Sequence, residues 1–264
     1  MIKLHFKLYL ADSLQFTKKT FNGDWIRGGI FLLLCLFLAA SSSVNFLPRS
    51  SSGGLIWPIA PWWGSIITLI IWLFVEVITT GYCIRIFRGD TEPPSFTPAG
   101  ALIKDGFVTQ IALLVWAIPI IICESISLVL HTFYLVPILE VLWIILFFVA
   151  PPIYFIYANT GAFSKCIRPS KILSVIRTPG LGSYIVTWAI AAFILLVTLF
   201  ISFFLNFILV HILPIRFNPA TNFVIFGFVF PILVIFIARL FTNVFLNRNM
   251  EDLSDTLEFI YKTR

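Results

Sequence analysis

Six stretches of this chain each run for more than twenty residues with at most one charged side chain: roughly 28–48, 61–84, 107–130, 134–158, 184–210 and 223–247. A helix rises about 1.5 Å per residue and crosses a hydrocarbon core of about 30 Å in about 20 residues. Backbone N–H and C=O groups find no partner in hydrocarbon unless the segment pairs them itself. The sequence therefore predicts an all-α integral membrane protein with six transmembrane helices and short amphipathic cytoplasmic helices. Charged residues make up 11% of the chain and hydrophobic residues 59%, against about 25% charge in a soluble domain. Nearly all of the 264 residues are used by spans and short connections. The expected organisation is a cytoplasmic N-terminal segment (1–26), a six-span membrane domain (27–247) and a cytoplasmic acidic amphipathic helix (248–264).

The distribution of charge supports the same count. Fifteen of the 18 Lys and Arg residues fall before the first stretch, between the second and third, between the fourth and fifth, and after the sixth. Arg49 and Arg216 fall on the other side, and Arg239 lies inside the sixth stretch. Positive residues stay in the cytoplasm, so both termini are expected there, in the cell membrane. The net charge of +6 is then a topological signal, and no nucleic-acid partner is expected. The first 26 residues are Lys-rich without a continuous apolar core, so no cleavable signal peptide is expected. Cys35, Cys83, Cys123 and Cys166 lack metal-ligand spacing and read as small buried hydrophobes.

The connections carry their own patterns. Residues 49–61 hold Trp57, and Trp62 and Trp63 follow, as in an aromatic belt at the outer interface. After Pro169, Ile172, Leu173 and Ile176 share a helix face and Lys171 and Ser174 take the other, a short basic helix suited to anionic headgroups. Thr178-Pro179-Gly180 ends it. Arg85 and Arg88, at the exit of the second stretch, are expected to reach lipid phosphates. In the tail, Met250, Leu253, Leu257 and Ile260 recur at helical spacing among acidic residues, so this helix should dock on the basic loops or on a partner. Three hairpins are entered through Phe16, Phe96 and Phe163, the pattern of a possible threefold repeat.

Four ionisable residues lie inside the stretches: Glu76, Glu124, Glu140 and Arg239. Such residues are costly in lipid and mark partners or function. Glu76 and Arg239 lie at matching depth and are expected to form an ion pair. Glu124 and Glu140 lie near a tight outer turn with His131 between them. They read either as interhelical glue or as a proton or cation site. Pro119, Pro151-Pro152 and Pro231 interrupt spans. No hydrolase, zinc or phosphate-binding motif is present, so neither an enzyme nor a cofactor is expected.

The ordered motifs Asp12-Ser13-Leu14-Gln15-Phe16, Gly23-Asp24-Trp25-Ile26-Arg27-Gly28-Gly29, Gly81-Tyr82-Cys83-Ile84-Arg85 through Gly89, Pro94-Ser95-Phe96, Lys104-Asp105-Gly106, Tyr157–Ser164 and Ile176-Arg177 carry a resemblance. From about Asp12 to Val244 the chain resembles an uncharacterised multi-pass membrane family, found mainly in archaea and some bacteria and defined by a domain of unknown function. It departs from that pattern at Thr17–Phe21. The resemblance implies the membrane topology and no activity. The expected function is a membrane scaffold or assembly protein, partnered by anionic headgroups and by another membrane protein or a second copy. The alternative is a small proton- or cation-coupled transporter or channel using Glu124 and Glu140.

Overall fold

A computed structural model of the chain describes residues 2–22, 29–30, 61–130, 135–212 and 218–246. These residues form helices, turns and connections, with no strand among them. The helices are α1 (Ile2–Asn22), α2 (Pro61–Phe87), α3 (Ala99–Leu130), α4 (Val136–Thr160), α5 (Phe163–Cys166), α6 (Pro169–Arg177), α7 (Leu181–Ile212) and α8 (Asn218–Leu246). Four of them contain segments long and apolar enough to cross a membrane: Leu69–Phe87, Ala99–Ser127, Val136–Thr160 and Leu181–Thr198. These coincide with the second to fifth predicted stretches. Helix α8 covers the sixth, and its described apolar part is Ile232–Leu246. The first stretch (apart from 29–30), the 49–60 connection, His131 and the 248–264 tail lie outside the described residues.

Helix α2 packs on α3, α4 and α8. Helices α3 and α4 form one neighbouring pair and α7 and α8 another, while α1 lies along α8. The closest approach is between α2 and α3. A Cβ on Gly106 would overlap the Val77 carbonyl and sit 2.9 Å from the Gly81 nitrogen, and a Cβ on Gly81 would overlap the Leu102 carbonyl. Small residues let helix backbones touch where lipid provides no hydrophobic drive for association. This gives a physical role to two glycines of the sequence motifs.

The main core gathers where α2, α4 and α8 end and α3 and α7 begin. Tyr82, Ile86, Ile153, Tyr184, Ile235 and Phe241 are buried there. We call this the loop end, because the 88–98 and 161–180 connections close it. Toward the opposite end, large apolar side chains such as Ile70, Phe74, Ile122, Val129 and Ile144 are exposed.

Helix α1 is the element that the apolar pattern did not predict. Its buried face mixes Tyr9 and Phe16 with Ser13, Thr17 and Thr20. Each of these three hydroxyls donates to a carbonyl one turn back, on Tyr9, Ser13 and Phe16, at 2.7, 2.7 and 2.9 Å. The hydroxyls are thereby satisfied locally and can pack as small side chains. At its two ends, α6 follows the sequence expectation. Pro169 occupies its first turn and Gly180 takes a positive φ of 84° in the turn beyond it, a conformation that favours glycine. Its apolar residues act differently: Ile172 and Ile176 are buried in the protein core and Leu173 is exposed. The helix docks on the bundle rather than presenting all three to lipid.

Pro151 and Pro152 lie within α4 without ending it. Pro152 has no N–H to give the Phe148 carbonyl four residues back. The Tyr184 hydroxyl of α7 donates to that carbonyl instead, and itself accepts from Trp188 Nε1 at 3.0 Å. The proline break in α4 is thus used to attach α7.

Candidate functional site

Polar side chains at the loop end form three groups. The first surrounds Arg239 on α8, which is 1% exposed. Its Nε donates to Asp12 Oδ2 of α1 at 2.8 Å, and its Nη1 donates to the Asp90 carbonyl beyond α2 at 2.5 Å. Asn243, one turn on, donates to the same Asp12 oxygen at 2.8 Å. The Phe16 ring lies 4.4 Å from the guanidinium carbon, a cation–π distance. The expected partner of Arg239 was Glu76; its ion pair is with Asp12. Counting residues from span ends compared only the predicted spans, and the partner is supplied by a helix outside them. The Arg239 side chain also extends past its own helix turn toward the connection after α2, so Cα depth misplaces its charge.

The second group holds the 88–98 connection. Arg85 is buried, and its guanidinium donates to the carbonyls of Ser95, Thr97 and Pro98, the latter two at 2.9 Å. Pro93, Pro94 and Pro98 leave this segment short of backbone donors, and a planar guanidinium supplies several at once. Arg85 therefore closes a loop; it is not the headgroup contact that was expected. Arg88 is more exposed and pairs with Asp105 at 2.5 Å. Tyr82 stacks on Phe96 with ring centroids 5.0 Å apart. Nearby, the Trp116 indole donates to the Cys166 carbonyl at 3.2 Å. The Cys166 thiol is fully buried, and burial pushes it up to about 11.

The third group lies deeper, between α2, α3 and α4. Gln110 Nε2 donates to Thr80 Oγ1 at 2.7 Å. Tyr154 of α4 lies close enough to Thr80 and Glu76 to interact with both electrostatically. Glu76 is half-buried, one helical turn before Thr80 on the same face. Sequence reading singled out Glu76 and missed Thr80, Gln110 and Tyr154, because uncharged polar residues at membrane depth stand out only when helices bring them together.

The remaining candidates are exposed. Glu124 on α3 and Glu140 on α4 present their side chains outward. Lys171 and Arg177 are exposed on α6, and so are Lys104, Lys165 and Arg168 in the elements around it. Among the described residues no three His, Cys, Asp or Glu side chains come together as a metal-binding group.

The family model described as "Protein of unknown function (DUF4013)" matches residues 65–207. That segment runs from α2 into α7 and contains the Gly81–Gly106 crossing, the Arg85 loop and the Glu76 group. Asp12 and Arg239 lie on either side of it. No curated protein and no solved structure shows a significant match to the chain. The chain belongs to the DUF4013 family, whose function is unknown.

Proposed function

We propose that this protein is a membrane scaffold of six transmembrane helices with both termini in the cytoplasm, and that it works by binding rather than by catalysis. The observation that carries this reading is the basic rim at the loop end. Lys104, Lys165, Arg168, Lys171 and Arg177 are all exposed, while Ile172 and Ile176 fix α6 to the core beneath them. A rim of fixed cations attracts anionic headgroups at about 1 kcal/mol per residue near the surface. It also suits an acidic segment of a membrane partner or of a second copy. The internal polar groups of the bundle are largely used to join helices, which fits a rigid platform. A transporter using Glu124 and Glu140 gains no support from their outward positions.

Photo-crosslinking residues placed at Lys171 and Arg177 in native membranes test the reading. Discrete adducts with anionic lipid and with one protein species support it. Adducts with water alone would overturn it. Thiol labelling from either side of the membrane tests the topology. Cysteines at Ser51 and Asn218 should label from outside, and those at Lys165 and Lys262 from inside.

A further inference from the structure

Helix α1 has an outer face that the scaffold reading does not use. Its inner face is held at two levels. Phe16 belongs to the loop-end core, beside Arg239. Tyr9 is buried in a second apolar cluster with Leu240 and Val244 of α8, and Phe6, Leu10, Phe236 and Ile190 pack against that cluster. Phe236 and Leu240 lie in the apolar segment Ile232–Leu246, and Ile190 lies midway along the α7 segment Leu181–Thr198, which is long and apolar enough to cross a membrane. Helix α1 therefore does not stand clear of the bundle as a separate polar segment. It lies against the flank of α8, and its inner side joins an apolar cluster that reaches well into a candidate span.

The outer face has its own pattern. Lys7, Ala11, Leu14 and Lys18 follow one another at helical spacing and are all exposed, as is Lys19. Leu14 is 66% exposed. The one acid of α1, Asp12, accepts from Arg239 and Asn243 on the inner side, so the outer face is cationic throughout. A leucine between lysines on the flank of a membrane bundle matches the boundary between headgroups and acyl chains. There the leucine enters the chains, and the lysine stems run along apolar surface while their ammonium groups reach the phosphates. An excess of fixed positive charge favours anionic over zwitterionic headgroups.

We propose that the outer face of α1 is a lipid-binding surface in the membrane interface, selective for anionic phospholipid, with Leu14 among the acyl chains and Lys7, Lys18 and Lys19 at the phosphates. This surface is separate from the α6 rim. It requires only that the neighbouring helices cross a membrane, and it does not depend on a scaffold role.

Fluorescence quenching tests it on the full-length protein in vesicles of phosphatidylcholine and phosphatidylglycerol. A dansyl-bearing amino acid is incorporated at position 14 in place of Leu14, and at position 193 in place of exposed Phe193 on α7 as the lipid-facing reference. The quenchers are each phospholipid carrying a nitroxide near the headgroup end of one acyl chain, and a water-soluble nitroxide. At position 14 both lipid nitroxides should quench and the aqueous one should not. Phosphatidylglycerol should act at lower mole fraction than phosphatidylcholine, with no such preference at position 193. Lys7→Gln, Lys18→Gln and Lys19→Gln should each lower that preference, by up to about fivefold for a lysine near the surface, while acyl-chain quenching persists. Quenching at position 14 by the aqueous nitroxide alone would place the face in water and overturn the proposal. Protection from all three quenchers would show that protein covers it, either residues 248–264 or a second copy, and would overturn it too. Equal quenching by the two phospholipids would remove the anionic selectivity. Quenching at position 14 is read separately from crosslinking at Lys171 and Arg177, so the failure of one reading is distinguishable from the failure of the other.

Discussion

The loop end and the opposite end of the bundle are built from helices of similar apolar composition, yet they are used in different ways. In α2 the run Gly81–Phe87 is buried without interruption, whereas Leu69, Ile70, Leu73 and Phe74 are exposed. Helix α4 shows the same contrast between buried Ile153 and Ile156 and exposed Ile138 and Ile144. Hydrophobicity alone does not choose between these outcomes, because lipid is as good a neighbour for Leu or Ile as another helix is. Among the described residues the loop end gathers features for which lipid is a poor neighbour: touching glycine backbones, the Phe148 carbonyl freed by Pro152, and buried Arg239 and Arg85. Each can be satisfied only by another part of the protein. Helices join where they carry such needs and part where they do not.

The largest effect should come from Arg239. Removing one partner of a buried pair costs about 3–5 kcal/mol, because a charge is left without compensation. Arg239→Ala and Asp12→Asn should each lower stability to denaturant in detergent by that order. The double variant should recover part of the loss, whereas Glu76→Gln combined with Arg239→Ala should not. Strictly additive losses for Asp12 and Arg239 would remove the pair as a link between the N-terminal helix and the bundle.

Gly106→Val should follow, at about 3 kcal/mol, since its Cβ meets backbone that cannot turn aside. Phe193→Ala, at an exposed α7 position, should stay within about 0.5 kcal/mol. Equal losses at the two sites would end the distinction between the two regions. Tyr184→Phe should cost about 2 kcal/mol by leaving the Phe148 carbonyl and the Trp188 N–H without a partner. If Pro152→Ala restores stability in that background, the hydroxyl is confirmed as the replacement for the missing backbone donor.

A pH-dependent effect concerns Cys166. Its thiol is raised to about 11 by burial, against about 8.5 in an unfolded chain. The resulting stability is fully present below the unfolded value and is lost as pH rises through the folded one. The melting temperature should therefore decline between about pH 8.5 and 11, and Cys166→Val should reduce that slope. At pH 8, alkylation of Cys166 in the folded protein should be slower than in the denatured chain by roughly two-hundredfold from ionisation alone.

Much of the architecture was legible in the residues. Charge-poor stretches located the second to fifth spans, and Pro169 and Gly180 marked helix boundaries because their backbone restrictions are local. The motifs Gly81-Tyr82 and Lys104-Asp105-Gly106 were legible as signals of family, but their meaning was not. They lie on two helices whose backbones touch, and a one-dimensional pattern does not show which glycines face each other. Arg85 looked like an interfacial arginine because nothing local reveals that three carbonyls of a proline-rich connection need its donors. Helix α1 escaped notice because back-bonded Ser13, Thr17 and Thr20 occupy positions where an apolar pattern expects larger residues.

The sequence by itself determined that the chain is helical, that at least four segments are long and apolar enough to cross a bilayer, and that its positive charge is gathered at one set of connections. Those properties follow from backbone hydrogen bonding and solvation, which each segment experiences alone. The tertiary structure decided that Arg239 answers to Asp12 rather than Glu76 and that Tyr184 completes a helix broken by Pro152. A buried polar group must be satisfied by whatever lies within about 3 Å of it, and for Arg239 and the Phe148 carbonyl that neighbour is supplied by a different helix.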